Sequence, residues 1–245
     1  MSRRRRAPEA DTGTVLAELS DINEYFGIGT GPVDSGWRPV AQLYTDPELL
    51  DGIVDRVQAR IGAPERRVAA SIFFLGFAAR LWSVGVGAVL GHRLLPELAA
   101  EELLFREIGG RITLHIACPV GWQGDDLEPM LADTVLDSHL APLSTALHQL
   151  GPVSRELLRG NAASALLGAA AEYDRLRSAV SPGPGWHLAR SLCADQRLAG
   201  TICFSEAAYR RTSCCLYYRT PGGGLCGDCV FTHVPGTDTA ERDDQ

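Results

Sequence analysis

Apolar positions recur along most of this chain at the three-to-four spacing of an amphipathic helix. Val15, Leu16, Leu19, Ile22 and Phe26 form the first such set. Gly27-Ile28-Gly29-Thr30-Gly31-Pro32 then breaks the pattern into a loop. Asp46-Pro47 reads as a helix start, a capping carboxylate followed by a first-turn proline. Leu49, Leu50, Ile53, Val54, Val57 and Ile61 give that helix its apolar face. Another helix is expected from near Pro64, turning Ile72, Phe73, Leu75, Phe77 and Leu81 into the core and ending in a glycine-rich turn at Gly85 and Gly87. Leu94 to Ile108 reads as a further helix. The period changes at Ile112-Thr113-Leu114-His115-Ile116, which alternates and is rich in β-branched residues. A strand is expected there, ended by Pro119 and Gly121. Asp125 to Leu150 and Val153 to Ala179 return to helical spacing, with breaks at Pro142 and Gly151-Pro152. Ser181-Pro182-Gly183-Pro184-Gly185 is the clearest linker, and a helix from Trp186 to about Leu198 follows it. The pattern predicts an α+β fold: a mostly helical body, a small sheet and a C-terminal cysteine-rich segment.

Four stretches are expected: a disordered basic tail over 1–12, a helical or mixed body over 13–180, a C-terminal helix and cysteine segment over 181–234, and a disordered acidic tail over 235–245. Arg3-Arg4-Arg5-Arg6 is followed by Ala7-Pro8-Glu9-Ala10-Asp11 without an apolar core, so it reads as a solvated tail rather than a targeting signal. Val68 to Leu90 is long enough to cross a bilayer. Arg80 at its centre costs about 2.5–3.5 kcal/mol on insertion scales, so a buried core helix is expected instead, with no stable membrane insertion.

The formal net charge of −7 argues against nucleic acid as a partner. All 23 basic residues are arginine. That excludes a Schiff-base lysine and a phosphate-loop lysine. Gly85-x-Gly87 lacks a third glycine or alanine at Leu90, and Gly27-x-Gly29 fails likewise at Pro32, so neither is a dinucleotide fingerprint.

The chemistry is concentrated near the C-terminus. Cys214-Cys215 is followed by ten residues and then Cys226-Gly227-Asp228-Cys229. Four thiolates in one short loop suit zinc or an iron–sulfur cluster. Neighbouring side chains of an extended strand point apart, so the backbone must bend at Cys214-Cys215, or the two sulfurs must bind different irons. Pro221-Gly222-Gly223-Gly224 lies between the pairs and permits close backbone approach. Arg210, Arg211 and Arg219 flank the site as candidate countercharges or as surface arginines. Cys118 and Cys193 read as core residues. Cys203 and His233 are weaker rivals as ligands, and His115 reads as a satisfied strand residue. A reducing cytoplasm is the expected compartment, where clustered cysteines point to metal before disulfides.

The segment from Arg211 through Cys214-Cys215-Leu216-Tyr217-Tyr218-Arg219 and Pro221-Gly222-Gly223-Gly224 to Cys226-Gly227-Asp228-Cys229 resembles the C-terminal signature of FhuF-like ferric-siderophore reductases. Leu158-Arg159-Gly160-Asn161-Ala162-Ala163 and the Ala69-to-Arg80 stretch resemble that family more loosely. The resemblance implies a 2Fe–2S cluster on Cys214, Cys215, Cys226 and Cys229, with Arg211, Tyr217, Tyr218, Arg219, Gly223 and Gly224 around it. It further implies one-electron reduction of a ferric siderophore, of the hydroxamate type among others, with electrons from a separate donor protein. Trp37, Trp82, Trp122, Trp186, Tyr217, Tyr218, Arg159 and Asn161 are candidate siderophore contacts. The rival readings are a zinc-stabilised binding protein without redox activity, and a 2Fe–2S electron carrier with another acceptor.

Overall fold

The computed structural model describes residues 4–177, 182–206 and 208–235. Its centre is a stack of long helices around α4 (Arg66–His92), which packs against α7 (Arg155–Leu176), α3 (Pro47–Ile61) and α1 (Glu9–Ser20). Asp46 caps α3, its carboxylate accepting the Leu49 amide at 3.0 Å, with Pro47 in the first turn. Ser154 caps α7 in the same way.

The expected glycine-rich turn at the end of α4 is instead continuous helix. A Cβ at Gly85 would lie 2.2 Å from Leu131 Cδ1, and one at Gly87 2.7 Å from Leu19 Cδ2. These glycines let neighbouring side chains touch the helix backbone. Close packing offsets their intrinsic cost of about 1 kcal/mol each. The length and apolarity of α4 serve this core, since most of the helix is buried.

Leu94 to Ile108 is not helical. It forms β4 (Leu94–Pro96) and β5 (Leu103–Ile108). β5 pairs antiparallel with β6 (Arg111–Ile116), the expected strand, through Gly109-Gly110, both at positive φ (58° and 79°). That is the backbone a two-residue hairpin turn requires. Short strands β2 (Gly29–Thr30) and β3 (Arg38–Pro39) complete the sheet, in the order β2-β6-β5-β3.

The expected disordered tail over 1–12 is also corrected from residue 4 onward. Arg5–Ala7 forms β1, which pairs antiparallel with β7 (Gly121–Gln123), and β7 pairs in turn with β4. The Arg6 guanidinium lies over Trp122, 4.7 Å from the ring centroid, and pairs with Glu97. Ala7 is buried, and α1 starts at Glu9. Edge pairing gives this charged stretch an ordered place.

Between α5 (Glu128–Ala132) and α6 (Ala141–Leu150) the helix continues as a π segment, Asp133–Leu140. The expected break at Pro142 is absent because this wider turn precedes the proline, which sits in the first turn of α6. The π segment carries His139 into the core. A short α2 (Gln42–Thr45) brings Tyr44 to it. The predicted helix after the linker is shorter than expected, α8 (Pro184–Leu192), and it joins the main core through Leu188, Ala189 and Leu192. The strand pair β8 (Ile202–Phe204) and β9 (Tyr209–Arg211) leads into the cysteines. Of the expected acidic tail, residues 236–245 lie outside the described residues.

Candidate metal centre

Three anchors fix the cysteine segment onto the helices. Near its start, the Thr212 amide donates to Thr201 O at 2.9 Å, and the Arg211 amide donates to Asp228 O at 3.0 Å. The second bond ties the strand before the first cysteine pair to the loop of the second pair. Beneath Cys215, the Ser71 hydroxyl on α4 donates to the Cys215 carbonyl at 2.7 Å. At the far side, Arg219 pairs with Glu65 at the entry to α4. There Pro221 also rests on Gly62, at whose position a Cβ would lie 3.2 Å from the proline ring.

The vicinal pair bends as the chemistry demands. Leu216 takes a left-handed conformation, φ 67°, uncommon for a branched residue. The chain therefore turns immediately after Cys215. The Leu216 amide now donates to Cys214 Sγ at 3.2 Å. A short 3₁₀ turn, Tyr217–Arg219, follows. Gly223 closes it. A Cβ there would lie 2.3 Å from Tyr217 O, so only glycine fits. The second pair is a tight turn as well, with the Cys229 amide donating to Cys226 O at 3.1 Å.

These turns bring the sulfurs into one neighbourhood. Cys215 and Cys226 Sγ are 3.7 Å apart and share a hydrogen bond. The Cys214 thiol is pulled down to about 7, first by its hydrogen bond with Cys215, with help from the Leu216 amide. Charge on Cys229 and Cys226 opposes that shift, which places both within electrostatic reach. The Cys226 thiol is pushed far up, first by its hydrogen bond with Cys215 and then by burial. Cys215 and Cys229 are buried, whereas Cys214 and Cys226 are half-buried. Among the described residues, no three His, Cys, Asp or Glu side chains converge on a single ion-sized point. A dinuclear cluster spreads its four ligands over two irons.

The polar surroundings carry both signs of charge: the Asp228 carboxylate acts on the Cys226 thiol, and a buried arginine lies in the same segment. Arg211 is 1% exposed, yet its Nε and Nη1 have no hydrogen-bond partner among the described residues. Its Nη2 donates to Asn161 Oδ1 on α7, at 2.6 Å. The Asn161 amide nitrogen donates in turn to Ser71 O and Oγ, at 3.0 and 2.9 Å. Gly160, next to Asn161, lets Ser213 lie against α7: a Cβ there would meet Ser213 Oγ at 2.2 Å.

Several candidates move. Asn161 is fully buried and holds Arg211, so it is not a siderophore contact. Trp82 is fully buried in the core. Arg159 is spent on Glu156 and on the Arg197 and Ala199 carbonyls. Trp186 packs against Phe204 and Tyr209 beside the cysteine segment. Trp37 lies with His115 and Arg106, away on the β5–β6 sheet. Tyr218 packs edge-on against Phe231 and lies under Arg219, while Tyr217 is exposed. His233 is exposed and bonded to Thr232. Cys118, expected in the core, is exposed, because it follows the end of β6. Cys193 is buried as expected, and burial pushes its thiol up to about 12. Gly160 and Ser71 fall within the two loosely family-like stretches, whereas Gly62 and Glu65 carry no mark in the sequence. A lone polar residue inside an apolar helix, as Ser71 is between Ala70 and Ile72, was the available signal.

Residues 211–231 match the family model described as the FhuF 2Fe-2S C-terminal domain. The cofactor of this segment is accordingly a 2Fe–2S cluster. No curated protein matches the chain.

Proposed function

We propose that this protein is a cytoplasmic ferric-siderophore reductase that receives single electrons from a separate donor protein and passes them to chelated Fe(III). The observation that carries this reading is the family-matched segment, in which Cys215 and Cys226 Sγ lie 3.7 Å apart near a buried arginine with two nitrogens unpaired among the described residues.

Cys214, Cys215, Cys226 and Cys229 are the proposed ligands. Once held there, the 2Fe–2S cluster supplies one-electron transfer. The chain does the rest. Cys215 and Cys229 anchor the buried side, and Ser71 fixes the backbone behind Cys215. Cys214 and Cys226 face the open side, where donor and ferric chelate approach by turns. Tyr217, exposed next to that edge, offers an aromatic contact. The substrate step adds one electron to Fe(III) and needs no proton. Hard oxygen donors hold Fe(II) far more weakly than Fe(III), so reduction releases the metal.

Anaerobically purified protein is expected to be coloured, with about two irons and two sulfides per chain, and to give an electron paramagnetic resonance signal only after dithionite. Reoxidation followed by stopped flow should be faster with a ferric hydroxamate than in buffer. Serine at any one of the four cysteines should bleach or shift the visible spectrum. Colourless protein with stoichiometric zinc overturns the reading. A cluster that no ferric siderophore reoxidises leaves an electron carrier for another acceptor.

A further inference from the structure

We infer that Arg211 is the charge-compensating residue of the centre: a buried guanidinium, oriented by Asn161, that favours the reduced state and sets the reduction potential. This assignment rests on the reading that the four cysteines carry the cluster.

A charged side chain sealed from water is costly unless a countercharge or a full set of acceptors meets it. Among the described residues no carboxylate pairs with Arg211; even Asp228, whose carbonyl takes the Arg211 amide, keeps its Oδ2 unpaired. The one side-chain acceptor among them is a neutral amide oxygen, and Nε and Nη1 are left over. The Asn161 orientation is not arbitrary. Its nitrogen is taken by Ser71 O and Oγ, so its oxygen must face Arg211. Ser71 then donates onward to the Cys215 carbonyl. Three donors point the same way in series, from guanidinium through amide and hydroxyl to the ligand's own backbone. Such an aligned chain polarises cooperatively.

Arg211 is also tied to the loop of the second cysteine pair, its amide donating to Asp228 O at 3.0 Å. Four thiolates and two sulfides around two ferric ions leave a dianion. One added electron makes it a trianion, with no bond broken and no proton moved. A buried cation stabilises the trianion more than the dianion, and in a low-dielectric site salt does not screen that difference. Arg210, the adjacent residue, is exposed and lacks this leverage.

The test is a redox titration of the cluster-loaded protein, followed by visible absorption and electron paramagnetic resonance. Wild-type iron and sulfide content is measured first, so failure of the cluster reading is seen independently. Arg211→Gln is expected to lower the midpoint, so that the reduced-to-oxidised ratio at a fixed potential falls about tenfold or more, which is about 59 mV for a one-electron couple. The fall should persist in 1 M salt. Arg211→Lys should recover most of it. Arg210→Gln should shift the midpoint little, and only at low salt. If Arg211→Gln fails to load, Asn161→Asp carries the test. It keeps the arginine but neutralises it, and should also lower the midpoint. An unchanged midpoint in loaded Arg211→Gln or Asn161→Asp overturns the assignment. Loss of loading in both marks a purely structural role and overturns it as well.

Discussion

Leu216 and Gly223 show how single backbone choices make the centre. Leu216 is held at φ 67°, where a branched side chain costs about 1 kcal/mol or more. Its side chain packs onto the core, and its amide reaches Cys214 Sγ. Gly223 faces a carbonyl rather than a flexible side chain. Gly223→Ala is therefore expected to force the Tyr217–Thr220 turn open, at a cost of about 1–3 kcal/mol. Iron and sulfide per chain should fall, while far-ultraviolet circular dichroism of the helical body stays close to wild type. Full loading with an unchanged melting curve would contradict this account. The cysteine spacing was legible because ligand spacing is a local property. A bend at the vicinal pair was one of two expectations, but no leucine announces a left-handed backbone. Its conformation is imposed by what surrounds it.

At the scale of elements, α4 and α7 act as the seat of the cysteine segment. Ser71 and Asn161 are polar residues on otherwise apolar, buried faces, and both are satisfied across the seat. Ser71→Ala removes the donor to the Cys215 carbonyl and one acceptor of Asn161. A buried group left unpaired costs about 1–3 kcal/mol. Cluster loss to a competing chelator should therefore accelerate about fivefold or more, the equivalent of ~1 kcal/mol. An unchanged rate would show that the seat contributes nothing to retention. Helices with a strong cap and period, such as α3, were legible from their own residues. The stretch from Leu94 to Ile108 was not. Its leucines satisfy a helical count, and only pairing with β7 and β6 makes it strands. Gly109-Gly110 was the local sign of that hairpin.

For the whole molecule, the buried pair of His139 and Tyr44 links stability to pH. His139 Nε2–H donates to Leu98 O at 2.5 Å, so Nδ1 accepts the Tyr44 hydroxyl at 2.7 Å. Burial depresses the ring to about 4 from its ordinary 6.5. Between those values the unfolded chain takes up a proton that the folded chain refuses. The contribution is complete above pH 6.5 and is lost as pH falls toward 4, by about 3 kcal/mol in all. Urea midpoints should drop over that window, and His139→Gln should flatten that part of the profile. An identical slope in the variant would remove His139 from the explanation.

The sequence alone determined the α+β class, the cysteine-rich segment that matches the 2Fe–2S domain and the long helices, because spacing, caps and period are carried within a short stretch of chain. Tertiary structure decided which arginine matters. Arg210 and Arg211 are neighbours of the same type, yet one is exposed and the other buried. The difference goes with Asn161, fifty residues away, which offers one of them an acceptor inside the core. Burial is a property of packing between distant segments, and the energy of a charge depends on it more than on its place in the chain.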